Sequence, residues 1–252
     1  MGAAVTGLDV KAVDQDTFKE LDRLFCQHQV LVFPKQELTP NEQMKFASHW
    51  GSLVRHPYAG HKKFPELIEL KNQGKSKDVN QHWHTDMSYN HLPPKLTMLY
   101  AIEVPSFGGD TAFANQVMAY EEMSAGLRST VDSLRALHTA EKLAGIYKEK
   151  ANSAPQAEHP VVRTHDVTSR RALYVCRAFT KRFVDWSSRE SRALLEYLFE
   201  QSTRIEFQFR HHWRKKDLVM WDNRSVLHFA VHDHGEQARR IHRLQVEGPK
   251  PG

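Results

Sequence analysis

The stretch Leu218-Val219-Met220-Trp221-Asp222-Asn223-Arg224-Ser225-Val226-Leu227-His228 reads as a buried strand, a polar turn and a second strand that carries a histidine. Working outward, strand-like segments recur at 206–213, 227–231 and 241–246, and earlier at 67–70, 96–104, 111–114, 161–164 and 173–176. A short buried strand is also expected at 29–33, and turn formers such as Gly108-Gly109-Asp110 separate the segments. Helical patterns are few. Phe18, Leu21, Leu24 and Phe25 mark a helix over 16–28. Thr39-Pro40-Asn41-Glu42 supplies a cap, a proline at the first helical position and a Glu three after the cap, with Gly51 past the end. A third pattern covers about 117–137, and a fourth runs from Ser188 with Leu194, Leu195, Leu198 and Phe199 on one face. Many short strands with peripheral helices predict a mainly β fold with flanking helices, a sandwich or jelly-roll barrel.

Composition narrows the classes. The chain has 252 residues, 40% hydrophobic and 26% charged, and no linker, repeat or low-complexity tract divides it, so one domain over 1–252 is expected. Thirty-five Lys+Arg against 30 Asp+Glu leave +5, with 16 histidines outside that count. Such a balance suits small anionic ligands as well as nucleic acid. The longest apolar run, 96–104, is broken by Thr97 and Glu103, so no membrane span is expected. Met1-Gly2-Ala3-Ala4-Val5-Thr6 lacks the basic and apolar regions of a secretory signal; it matches an acylation pattern loosely and reads better as an opening strand. Cys26 and Cys176 are too few for a disulfide framework or a Cys-rich zinc site, which leaves a reducing, cytoplasmic setting as the expectation.

The densest chemical cluster is His82-Trp83-His84-Thr85-Asp86. Residues two apart on an extended segment share a face, so His84 and Asp86 can grip one cation together. Alone, such a triplet is more often a hydrogen-bonded surface pair. A distant histidine would complete two histidines and a carboxylate, the set that leaves metal positions open in non-haem Fe(II) oxygenases. His82 competes with His84 for a place in that set, and His232 and His234 compete with His228. Arg239 and Arg243 follow His228, and the planar guanidinium fork suits carboxylates. The run Arg210-His211-His212-Trp213-Arg214-Lys215-Lys216 could meet a polyanion, but within a strand-turn-strand it reads as a solvated turn.

With Gly108-Gly109-Asp110-Thr111, His159-Pro160-Val161-Val162-Arg163-Thr164-His165 and Ala172-Leu173-Tyr174-Val175 added to these motifs, nearly the whole chain resembles one family. It is the taurine dioxygenase / 2,4-dichlorophenoxyacetate dioxygenase (TauD/TfdA-like) family of Fe(II)- and 2-oxoglutarate-dependent enzymes. The resemblance implies a double-stranded β-helix, the cupin-like jelly-roll core. It implies iron ligands His84, Asp86 and His228, with Thr111 and Arg239 on the distal carboxylate of 2-oxoglutarate. His56, Tyr58, Asn80, Phe179 and Arg243 would hold the substrate, while Trp83 and Trp221 serve packing. The implied reaction consumes O2 and 2-oxoglutarate, releases succinate and CO2 and hydroxylates a small anionic organic substrate. An alkyl sulfonate such as taurine, giving sulfite and an aldehyde, leads; an aryloxyalkanoate or an alkyl sulfate is the alternative. Residues 217–224 look closer to the aryloxyalkanoate branch, and Met87 stands where a smaller β-branched residue is common. The polar stretch 147–158 would be a lid by family analogy, and a homo-oligomer, dimer or tetramer, is implied. A nucleic-acid demethylase and a non-catalytic jelly-roll metal binder are the remote readings. Neither nucleic acid nor a membrane is expected as a partner.

Overall fold

The computed structural model describes residues 1–56, 60–72, 82–143 and 154–252. The chain opens with β1 (Ala3–Ala4), followed by α1 (Gln15–His28) and β2 (Val30–Phe33). β1 and β2 pair in parallel, which a crossover such as α1 makes possible. Asp14 starts α1 by accepting the Thr17 N–H, and Gln29 ends it in the left-handed region at φ 64°. Next comes α2 (Pro40–Ala47), with the expected capping box between Thr39 and Glu42. β3 (Ile68–Asn72), β4 (Leu96–Glu103) and β5 (Thr111–Asn115) lead to α3 (Gln116–Glu121), α4 (Ala125–Asp132) and β6 (Arg135–Thr139). β7 (Gln156–Pro160), β8 (Val162–Thr164), β9 (Arg171–Leu173) and β10 (Thr180–Phe183) precede α5 (Ser188–Ser202). The chain closes with β11 (Gln208–His211), β12 (Leu218–Asp222), β13 (Val226–Ala230) and β14 (Arg239–Val246).

Six strands form the main sheet in the order β1-β2-β12-β4-β14-β3, and β11-β5-β13 form a second sheet. The period of two sorts the main sheet's side chains. Leu31, Phe33, Met98, Tyr100, Leu218, Met220 and Leu244 face Leu21, Phe25, Phe46 and Trp50 of the helical layer. The alternate residues Val30, Val32, Leu99, Ala101, Val219, Trp221 and Ile241 pack with Phe113 and Val226 of the second sheet. Burying each such aliphatic or aromatic side chain contributes about 1.5–3 kcal/mol, and the space between the sheets becomes the jelly-roll interior. Thr97, Arg239, Arg243 and Gln245 sit at the same strand parity as these inward residues and bring polarity into it. A further core forms where α5 and α3 pack on β6, β8, β9 and β10 through Tyr120, Ala136, Val162, Leu173, Phe183, Leu195 and Leu198.

The helix expected over 117–137 is instead α3, α4 and β6. Ser124 accepts the Leu127 N–H and restarts the helix there, while 135–139 pairs with β7 on one side and β10 on the other. Two strands are shorter than expected. Residues 205–207 form a 3-10 turn ahead of β11, and β9 ends at Leu173, after which the Tyr174 N–H donates to Val161. Of the stretch expected to form a lid, 147–153 lies outside the described residues, whereas 156–158 belongs to β7 and is anchored in a sheet. Among the described residues no helix is long and apolar enough to cross a membrane.

Candidate active site

His84 and His228 face each other in an isolated antiparallel bridge. The His84 N–H donates to the His228 carbonyl at 3.0 Å and the His228 N–H returns the bond at 2.7 Å. Directly opposed residues project on one side, so the two rings meet with centroids 4.0 Å apart. Asp86 brings Oδ1 to 3.7 Å from Nε2 of each histidine. All three residues are buried, and one ligand atom from each lies within 4.8 Å of the others. Nδ1–H of His84 donates to the His82 carbonyl at 2.8 Å; a carbonyl can only accept, so Nδ1 carries a proton, and Nε2 is the ring atom nearest Asp86. The Trp221 ring supports His228 at 4.6 Å.

Charge follows the same plan. Burial pushes His228 down to about 3, so the imidazole is neutral near pH 7. Burial also works against charge on Asp86, but His228, Arg243, His84 and the Thr97 hydrogen bond outweigh it and hold the carboxyl at about 2. A carboxylate between two imidazole nitrogens is a donor set that fits a divalent transition metal. His82 is exposed and contributes its carbonyl, and His232 and His234 do not join the cluster.

A second group lies further along the same strands. In the β5–β13 register Phe113 opposes His228 and Thr111 opposes Ala230, which places Thr111 on the face of His228 one repeat away. Its Oγ1 accepts Nε1–H of Trp213 at 3.0 Å, leaving the hydroxyl proton to be donated elsewhere. Arg239 is buried beside it, with its guanidinium 5.8 Å from the Trp213 ring centroid and Nε donating to the Gly109 carbonyl at 3.2 Å. Burial lowers Arg239 to about 10, partly offset by Asp110, so it remains a cation at neutral pH. Asp110 is engaged elsewhere, by Arg210 at 2.6 Å and by Nδ1 of His212 at 2.7 Å. Among the described residues Arg239 therefore makes no ion pair, although a buried cation calls for an anion. The turn that brings up Gly109 needs glycine: φ is 67° at Gly108 and 69° at Gly109, and a Cβ on Gly108 would stand 2.4 Å from Asp233 Oδ1.

Of the residues expected at the substrate, Phe179 meets the His84 ring edge-on at 6.0 Å and Tyr89 at 5.0 Å. His56 is pushed down to about 4 by burial and by the charge of Arg243, partly offset by Asp86. Nε2 of His56 and Nε of Arg243 are buried without hydrogen-bond partners among the described residues. Tyr58 and Asn80 lie outside the described residues.

Several supporting residues were not expected. Nδ1 of His138 lies 3.0 Å from Ser88 Oγ, and Nε2–H of His159 donates to the Asn90 carbonyl at 3.0 Å, clamping the turn that follows Asp86. Asp222 accepts Nε2–H of His165 at 2.8 Å and both arms of the Arg224 fork at 2.8 and 2.7 Å, which fixes the turn between β12 and β13. Spacing in the sequence gives no sign of these contacts; the only local signal is that His159 and His165 fall in the His-Pro motif. In the basic run, Arg210 pairs with Asp110 and Asp233, His211 with Asp217, and Lys216 with Glu37.

Two histidines and one carboxylate inside a jelly roll, with a buried arginine close by, define a non-haem Fe(II) oxygenase. The profile of the Taurine catabolism dioxygenase TauD, TfdA family matches residues 1–245, and the chain belongs to this family. It is 33% identical to an alkylsulfatase of Acinetobacter baylyi over 98% of this chain and 82% of that one. It is 34% identical to an alpha-ketoglutarate-dependent 2,4-dichlorophenoxyacetate dioxygenase of Cupriavidus pinatubonensis, over 90% of this chain and 87% of that one. Among solved structures, a taurine dioxygenase from Burkholderia xenovorans superposes with a TM-score of 0.89 at 32% identity, covering 100% of this chain and 87% of that one. The fold is thus the expected cupin-like jelly roll, and the protein is an Fe(II)- and 2-oxoglutarate-dependent dioxygenase that uses O2 and acts on a small organic substrate.

Proposed function

We propose that His84, Asp86 and His228 hold the iron, that Arg239 and Thr111 bind the distal carboxylate of 2-oxoglutarate, and that the substrate is a small organic anion, an alkyl sulfonate such as taurine. The observation that carries the substrate class is that the Arg243 charge acts on both His56 and Asp86, with His56 Nε2 and Arg243 Nε buried and lacking hydrogen-bond partners among the described residues. Iron supplies the activation of O2 that couples oxidative decarboxylation of 2-oxoglutarate to hydroxylation of the substrate. The protein's own residues set the geometry. Arg239 and Thr111 fix the far end of the oxo acid so that its near end reaches the metal-ligand cluster. Arg243 and His56 hold the anionic head of the substrate and turn its neighbouring C–H bond to the same centre. Phe179, backed by Tyr89, and Trp221 set aromatic surface against the rings of His84 and His228. Hydroxylation of a carbon bearing sulfonate gives an adduct that collapses to an aldehyde and sulfite.

A sulfate ester or an aryloxyalkanoate is the second reading, favoured by the kinship to the alkylsulfatase and to the 2,4-dichlorophenoxyacetate enzyme. Succinate release measured across taurine, longer alkyl sulfonates, alkyl sulfates and aryloxyacetates decides among them. Strongest stimulation by a sulfonate supports the proposal; strongest stimulation by another anion moves the assignment to that class, and none by any anion contradicts the small-anion reading. The same proposal takes 1–252 as one domain in a cytoplasmic homo-oligomer, a dimer or tetramer whose mass light scattering would give.

A further inference from the structure

Asp86 has two carboxylate oxygens, and they differ in their partners. Oδ1 stands 3.7 Å from both Nε2 atoms, whereas Oδ2 accepts the Thr97 hydroxyl at 2.6 Å. The direction of that bond is set from behind. Thr97 Oγ1 accepts Nδ2–H of Asn223 at 2.8 Å and Nε2–H of Gln245 at 3.3 Å. A hydroxyl has one proton and two lone pairs, so with both lone pairs occupied its proton is directed to Asp86. The Asn223 amide is itself oriented, because Nε1–H of Trp221, which can only donate, bonds its Oδ1 at 2.9 Å. The Asn223 backbone is held at both ends, its N–H donating to Lys95 at 2.9 Å and its carbonyl accepting Thr85 Oγ1 at 2.8 Å. Thr97, Gln245, Trp221 and Asn223 are all buried, and Trp221 continues the chain to its packing on His228.

We propose that Thr97 is a positioning residue that restricts Asp86 to ligation through one oxygen, with Asn223 and Gln245 aiming its proton. This rests on the metal-centre reading above. A carboxylate free to turn can bring both oxygens to one cation, and the second oxygen would take a position that 2-oxoglutarate or O2 needs. By engaging Oδ2, Thr97 prevents that rotation and holds Oδ1 toward the histidine nitrogens, the support that outer groups commonly give to metal ligands. If Thr97 merely filled space in β4, valine would serve equally well.

The test compares Thr97→Val, which keeps the shape and removes the donor, with Thr97→Ser, which keeps the donor. The readouts are Mn(II) affinity by calorimetry, without O2 or co-substrate, and the number of exchangeable waters on bound Mn(II) by solvent relaxation. Thr97→Val is expected to bind Mn(II) about 10- to 100-fold more weakly and with fewer waters, and Thr97→Ser to match the parent. Asn223→Ala leaves Thr97 in place but releases its proton, and is expected to fall between them; it carries the test should Thr97→Val fail to fold. Parent-like affinity and water count in Thr97→Val, or in Asn223→Ala in its place, overturn the proposal, as does an equal loss in Thr97→Ser. Failure of the parent chain itself to bind Mn(II) overturns the metal-centre reading instead.

Discussion

In the function proposed above, Arg239 is the residue on which use of the oxo acid turns. It is a buried cation whose Nε is tied to Gly109 and whose remaining donors face no carboxylate among the described residues. Arg239→Gln is expected to raise KM for 2-oxoglutarate by about two to three orders of magnitude, because a buried charge-paired hydrogen bond is worth about 2–5 kcal/mol, with little change in kcat at saturation. Thr111→Val removes a single hydroxyl donor and should raise the same KM about tenfold. Steady-state kinetics in 2-oxoglutarate check both; an unchanged KM in Arg239→Gln would place the co-substrate elsewhere. Part of this was legible in the sequence. The spacing of four between Arg239 and Arg243 survives in β14 as a shared face, whereas His84 lies in an isolated bridge and Asp86 opens a turn, so the extended segment expected there is not what brings the two together. The Thr97–Asn223 contact joins residues 126 apart and that of His138 with Ser88 residues 50 apart, so no local pattern could announce either.

At the scale of elements, two devices set the site. The Gly108-Gly109 turn delivers the Gly109 carbonyl to Arg239, and a Cβ on Gly109 would meet Pro105 Cγ at 2.9 Å with φ at 69°. Gly109→Ala should therefore destabilise the fold by about 1–2 kcal/mol and raise KM for 2-oxoglutarate, as denaturation and kinetics would show. The other device is the pair β6–β7, which carries His138 and His159 to the turn after Asp86. Burial lowers His138 to about 3 and His159 to about 4, so both are neutral in the folded protein near pH 7. Above pH 6.5 neither state takes up a proton and these groups add no pH dependence. Below it the unfolded chain is protonated first, so stability falls with acidification by about 1.4 kcal/mol per pH unit for His138, down to its folded value. Asp86 and Asp222, whose folded values are lowered from 3.8, lose their contribution only in a more acidic window. Denaturant unfolding from pH 7 to 4.5 should show the slope, and His138→Gln should flatten it by about that amount; an unchanged slope would contradict the assignment. The helix expected over 117–137 failed for a reason of the same scale. Helical periodicity there is real for short stretches, but the Ser124 cap and pairing of 135–139 on both edges outcompete it.

Across the whole molecule, the jelly roll does one thing for chemistry: it directs alternate residues of facing sheets into a shared interior. Thr97 and Arg243 from the main sheet and Thr111 and His228 from the second sheet enter it because their parity matches that of Leu99, Ile241 and Phe113. Fold class was readable because many short apolar segments leave few other architectures, whereas the pairing order β1-β2-β12-β4-β14-β3 depends on contacts that no single segment specifies. The central claim is that this interior holds Fe(II) and 2-oxoglutarate together. Anaerobic titration of the purified chain with Fe(II) and then 2-oxoglutarate measures it directly. A visible charge-transfer band that saturates at one equivalent of each, and is absent in Asp86→Ala, is the predicted result; a colourless mixture with the intact chain would contradict the account.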